Sequence, residues 1–69
     1  MRRRRAQVAE GQRYRRIGVG LGIWEVIAIQ TDGVGKMHAR LRREDDPSSV
    51  KTLAVSVLLD PRQFEPLPE

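Results

Sequence analysis

Cysteine is absent from this 69-residue chain, so no disulfide can staple it and no thiolate can hold a metal. Its absence fits a reducing compartment, and the expected location is cytoplasmic. Histidine occurs once, at His38, flanked by Lys36 and Arg40. Neighbouring cations disfavour a metal ion there, and a zinc site needs several such ligands. Only three aromatics are present, Tyr14, Trp24 and Phe64. Single-strand nucleic-acid readers use several stacking rings, proline-peptide recognition needs an aromatic-lined groove, and a methyl-lysine cage needs clustered rings. Long apolar runs are lacking as well. Ile17 to Ile29 is interrupted by Glu25 and by glycines and falls short of the roughly 20 residues of a membrane span. Polar residues separate it from the basic start, and no small-residue cleavage site follows it, so neither a signal peptide nor a membrane partner is expected. Nothing in the spacing of Ser48, Ser49 or Ser56 supports a triad with His38, and so short a chain offers little room to enclose a substrate. Catalytic residues, metal and cofactor are all expected to be absent.

What is present is charge, unevenly placed. The formal net charge is +4. Residues 1–16 carry seven arginines against Glu10, a net +6; residues 17–69 carry six Lys/Arg against eight Asp/Glu, a net −2. The body is mildly acidic and the basicity belongs to the N-terminal part. Residues 1–10 show no apolar periodicity and read as a flexible basic arm; residues 11–69 read as one small domain.

The strongest local signal is central. Gly22 to Gln30 is a β-rich apolar run, Thr31-Asp32-Gly33 a turn, and Lys36 to Arg43 an alternating run, which together predict a β-hairpin. Parity places Met37, Ala39 and Leu41 on one face and Lys36, His38, Arg40 and Arg42 on the other. The first long strand is apolar on both faces, with Ile23, Ile27 and Ile29 on one and Trp24, Val26 and Ala28 on the other. A lone hairpin is not stable in water, so the flanks must supply further strands. Gln12 to Ile17 predicts an edge strand around Tyr14. Gly18 to Gly22 predicts a bend whose Val19 and Leu21 fold over one end of the domain. Its Gly-x-Gly-x-Gly pattern lacks the helix that a phosphate loop requires.

Glu44-Asp45-Asp46-Pro47-Ser48-Ser49 predicts a solvated loop. Val50 to Ser56 predicts a strand from its alternation and β-branched residues, although Leu53/Val57 and Ala54/Leu58 also carry helical spacing. Asp60-Pro61 predicts a single 3₁₀ turn within Leu58 to Phe64, and Phe64 to Leu67 a closing strand. This order, with Trp24-Glu25-Val26 and Leu59-Asp60-Pro61 as landmarks over residues 11–67, resembles the small SH3-like barrel. That resemblance implies an all-β antiparallel barrel of four or five short strands.

Two functional readings follow. Arg13, Arg15 and Arg16 of the first strand and Lys36, His38, Arg40 and Arg42 of the alternating strand form candidate nucleic-acid contacts, joined by Arg2 to Arg5 of the arm. Arginine suits phosphate because its planar fork donates two parallel hydrogen bonds and stays ionised. With Trp24 and Phe64 expected in the core, only Tyr14 is left for exposed stacking. The expected mode is therefore backbone contact with DNA or RNA rather than base reading. The alternative is an interaction or assembly module, a homo-oligomer or a protein partner's dock, favoured by the strand that is apolar on both faces.

Overall fold

In a computed structural model of the chain, the residues described are 8–18, 20 and 22–68; Val19, Leu21 and the arm residues 1–7 lie outside them. Five strands form one antiparallel sheet: β1 (Arg13–Arg16), β2 (Gly22–Thr31), β3 (Met37–Arg43), β4 (Asp46–Ala54) and β5 (Phe64–Pro66). One helical turn, α1 (Val55–Leu58), stands between β4 and β5. The order across the sheet is β4-β3-β2-β1-β5. The all-β expectation holds, and the closed barrel does not form. β4 and β5 are the two edges, and the chain leaves β4 through α1 instead of pairing it with β5. Leu58 of α1, 1 % exposed, drops into the core at that point.

The central hairpin forms where its alternation places it, with Ala39 and Leu41 completely buried. The turn is wider than Asp-Gly alone implies. The left-handed residue is Gly35, φ +83°, and the Asp32 carboxylate accepts the backbone N–H groups of Val34 and Lys36, each at 2.9 Å. Those two bonds hold the Asp32 carboxyl below its usual range. The two-faced apolar pattern of β2 is resolved by a β-bulge. Val26 opposes Leu41 and Ala28 opposes Arg40, so Ile27 is an extra residue. Before the bulge Trp24 and Val26 face the core; after it parity switches and Ile29, opposite Ala39, packs there. Ile27 and Ala28 together face Arg40 on the other side, half-buried.

Tyr14 is not exposed for stacking. Pairing of β1 with β2 sets it opposite Trp24, where it is 3 % exposed, and burial pushes its phenol pKa up. The acidic segment also departs from the expected loop. Only Glu44 and Asp45 turn the chain, and Asp46 already belongs to β4. Arg43 opposes Asp46 while Arg42 opposes Val50, so residues 47–49 are accommodated as a bulge in β4. The acids find local partners: Ser48 Oγ donates to Asp46 at 2.8 Å, and Arg43 Nε lies 2.7 Å from Asp45. The Val50–Ser56 segment divides between its two signals, strand through Ala54 and helical from Val55. Pairing of His38 with Ala54 ends the β3–β4 ladder; beyond it Val55, Val57 and Leu58 turn onto the core.

The expected 3₁₀ turn is replaced by α1 followed by a tight turn built on Asp60. The Asp60 carbonyl accepts from the N–H of Gln63 at 2.9 Å and of Phe64 at 3.1 Å. Its carboxylate accepts from the Arg62 guanidinium, the Arg62 N–H and the Gln63 amide, which pulls its pKa down to about 2. A carboxyl depressed in the folded state stabilises above its unfolded pKa of roughly 4 and loses that contribution as pH falls through the folded value. Acid titration of the native protein should therefore show a fall in melting temperature between about pH 4 and pH 2 that Asp60→Asn makes shallower, the remainder belonging to Asp32 and Glu44. An Asp60→Asn protein with the same acid profile as the native chain would show that the turn does not report this carboxylate.

At the other end, Val8 packs against the core and Gly11 N–H donates to the Val26 carbonyl at 2.9 Å. The attached part of the chain therefore starts by Val8, inside the segment that composition assigns to the arm.

Candidate nucleic-acid interface

Strand register decides which cations meet. On the outer face β3 presents His38, Arg40 and Arg42, with Thr52 and Val50 of β4 opposite Arg40 and Arg42. On the other side of β3, β2 sets Gln30 opposite His38, Ala28 opposite Arg40 and Glu25 opposite Arg42. β1 follows with Arg13 opposite Glu25 and Arg15 opposite Ile23. The two basic rows thus lie on one face, as expected, but β2 runs between them and carries Glu25 in the seam.

Carboxylates thread this face. Arg42 Nη2 donates to Glu25 at 3.1 Å. Arg13 Nη2 donates to Glu44 at 3.1 Å and its Nε to the other Glu44 oxygen, holding the Glu44 carboxyl below its usual range. Arg15 is bonded to Glu65 of β5, its cross-strand neighbour. Four arginines therefore face three glutamates, a net of one positive charge. Such exposed pairs add little stability and are exchangeable. Arg40 differs: it is exposed at the centre of the face, and among the described residues no carboxylate reaches it.

The remaining candidates are placed elsewhere. Lys36 precedes β3 at the hairpin turn, where its N–H is bound to Asp32. His38 Nδ1 lies 3.9 Å from Asp32 Oδ2. Arg16 is not on the outer face at all. Its cross-strand partners are Gly22 and Phe64, and its guanidinium stands 5.2 Å over the Phe64 ring on the inner side.

Two further cations were not among the expected contacts, although both lie in segments that the sequence assigns to strands. Arg43 follows the odd, inward parity of Ala39 and Leu41. Lys51 opposes Leu41, and its ammonium lies 4.4 Å over the Trp24 ring. The available signal was the parity of Leu41 and Arg43, two residues apart on one strand.

Other chemistry finds less support. Among the described residues no three His, Asp or Glu side chains converge on a point where an ion would sit, and no helix is long and apolar enough to cross a membrane. A cleft of about 450 Å³ between β1, α1 and β5 is walled by Gln12, Tyr14, Leu58, Leu59, Pro61, Phe64 and Pro66. Its polar groups are the Gln12 amide and the Tyr14 hydroxyl, which donates to Gln12 Oε1 at 3.0 Å; no carboxylate or histidine lines it. Comparison with protein-family models, curated proteins and solved structures returned no match.

Proposed function

We propose that this chain is a non-catalytic binding module that grips the phosphate backbone of DNA or RNA through the outer sheet face, aided by the arginine-rich arm. Arg40 carries the reading: an exposed arginine in the middle of β3, without a carboxylate partner among the described residues, flanked on its strand by His38 and Arg42. A phosphate chain laid across the face would take Arg40 directly and replace the glutamates as acceptor for Arg13, Arg15 and Arg42. Phosphate can accept the same bidentate fork as carboxylate, and counterion release from the polymer favours the exchange. The strand order and the helical turn before the last strand support an SH3-like topology in an open form.

The mode is sequence-tolerant, because no Tyr, Trp or Phe ring is exposed on this face and His38, half-buried beside Asp32, is its one ring. Converting Arg40 and Arg42 together to serine should weaken binding to every oligonucleotide alike. The slope of log K against log salt should fall by about 1.4–1.8, the value for two phosphate contacts. Fluorescence anisotropy at several salt concentrations measures both quantities. A double variant with native affinity and slope would sink the role of the β3 row.

A second reading, docking of a protein partner, is favoured by one observation, the apolar cleft beside β5, whose rim residues Leu59, Pro61 and Pro66 are exposed. Leu59→Lys would abolish such docking while leaving oligonucleotide binding unchanged.

A further inference from the structure

The inner face holds a basic cluster that the outer-face reading does not use. Arg16 of β1 lies directly across from Gly22 of β2, and Arg43 of β3 leans over the same glycine. A Cβ at Gly22 would come within 3.1 Å of Arg43 Nε and 3.4 Å of its Cζ and Nη2. The missing side chain is thus the space that the Arg43 guanidinium occupies. Arg43 thus lies over the residue that Arg16 pairs with, while the Arg16 guanidinium stands over Phe64 on the other side of β1; both are on the inner face.

The hydrogen bonding of this cluster is unlike that of the outer face. Arg16 Nε is enclosed, and among the described residues no acceptor reaches it. Trp24, two residues along the same face from Gly22, has an enclosed Nε1 in the same condition. Enclosed donors of this kind cost free energy unless a partner is supplied. Lys51 adds a third cation over the Trp24 ring. Asp45 is a carboxylate contact of the cluster, at Arg43 Nε. A pocket of about 200 Å³ opens beside Arg16, walled by Arg15, Ile17 and Gly18.

We infer that the Gly22 end of the inner face binds a phosphate group, with Arg16 and Arg43 as paired forks and Lys51 as a nearby point charge. The chemistry is that of a phosphate monoester or diester, which both nucleic-acid backbone and small phosphates share. The inference deepens the proposed function insofar as the backbone is the source, and it gives that module a second contact on the opposite side of the sheet. Guanidinium pairs that repel one another become favourable when one dianion or diester bridges them.

The test is an NMR titration that follows the arginine Nε–Hε signals and the single Trp24 indole signal, with inorganic phosphate in one arm and a single-stranded oligonucleotide in the other. Shifts of Arg16, Arg43 and Trp24 are expected in both arms. Arg16→Gln should weaken the phosphate arm tenfold or more. Gly22→Ala should do the same without changing charge, since Gly22 has no left-handed φ and only Arg43 must move. Arg62→Gln, in the turn before β5, serves as the neutralised control and should stay within twofold of native. Should Gly22→Ala lose its amide dispersion, Arg16→Gln carries the comparison alone. Oligonucleotide shifts confined to Arg13, Arg15, Arg40 and Arg42, with no response to phosphate, would overturn the inner site and leave the proposed function standing. Phosphate shifts at Arg16 and Arg43 without oligonucleotide binding would do the reverse. No shift in either arm would remove both.

Discussion

Trp24→Ala is expected to lower the domain's melting temperature by about 15 °C or more, or to unfold it outright. The ring is 5 % exposed and forms one core cluster with Tyr14, Val26, Ala39, Leu41, Leu58 and Phe64. Removing a core aromatic costs about 3–5 kcal/mol, through lost burial and the cavity left behind. At roughly 0.05–0.15 kcal/mol per residue, a chain of this length has a total stability on the order of 3–10 kcal/mol. The loss therefore consumes about 30 % of the stability at least, and all of it at the lower end. Far-UV circular dichroism should show a melting temperature lower by about 15 °C or more, or no folded baseline at all. Trp24→Phe should cost much less, because it keeps an aromatic ring and deletes the indole N–H that no acceptor reaches among the described residues. A Trp24→Ala protein melting within a few degrees of native would mean that the ring is not a core element.

Phe64→Ala is the second large effect, and its distribution should differ. Phe64 is 1 % exposed, and its removal also costs about 3–5 kcal/mol by the core rule. Yet it sits on a three-residue edge strand that pairs with β1 alone. Pro66 of that strand has no N–H to donate, and the flanking bonds are Ile17 N–H to Gln63 and Leu67 N–H to Arg13, each at 2.9 Å. The ring is the main anchor of β5. Without it, β5 should peel away before the hairpin opens. Amide hydrogen exchange is expected to accelerate most at Ile17 and Leu67 and least at Leu41. Equal acceleration at all three would place β5 in the same cooperative unit as the central hairpin. The loss of Phe64 also removes the ring beneath Arg16, so phosphate binding at the Gly22 end should weaken with it.

The central hairpin was legible because a strand's side-chain period is two and β3 obeys it without a fault. Ala39 and Leu41 had nowhere to go but inward, and His38, Arg40 and Arg42 nowhere but outward. Trp24 and Phe64 were legible as core from their apolar neighbours. Tyr14 was not, because its own strand is a run of arginines; what buries it is Trp24 across the β1–β2 ladder. The basic site was legible in part. Parity identified the cations of one strand, but the glutamates that thread between them come from β2, from the β3–β4 turn and from β5. No pattern along the chain reports that Glu44 and Arg13, 31 positions apart, share two hydrogen bonds.

Local pattern by itself determined the central hairpin and its two faces, and the segregation of charge toward the N-terminal part. It determined these because backbone periodicity, turn chemistry and formal charge are properties of neighbouring residues. Only tertiary pairing decided that the sheet stays open, that a bulge at Ile27 turns Ile29 inward, that the outer arginines are partly neutralised, and that Arg43 lies over Gly22, the pairing partner of Arg16. Each of those outcomes depends on register between strands distant in sequence. Register follows from the joint packing of the whole core, in which Leu58 fills the gap that a fifth pairing would otherwise close.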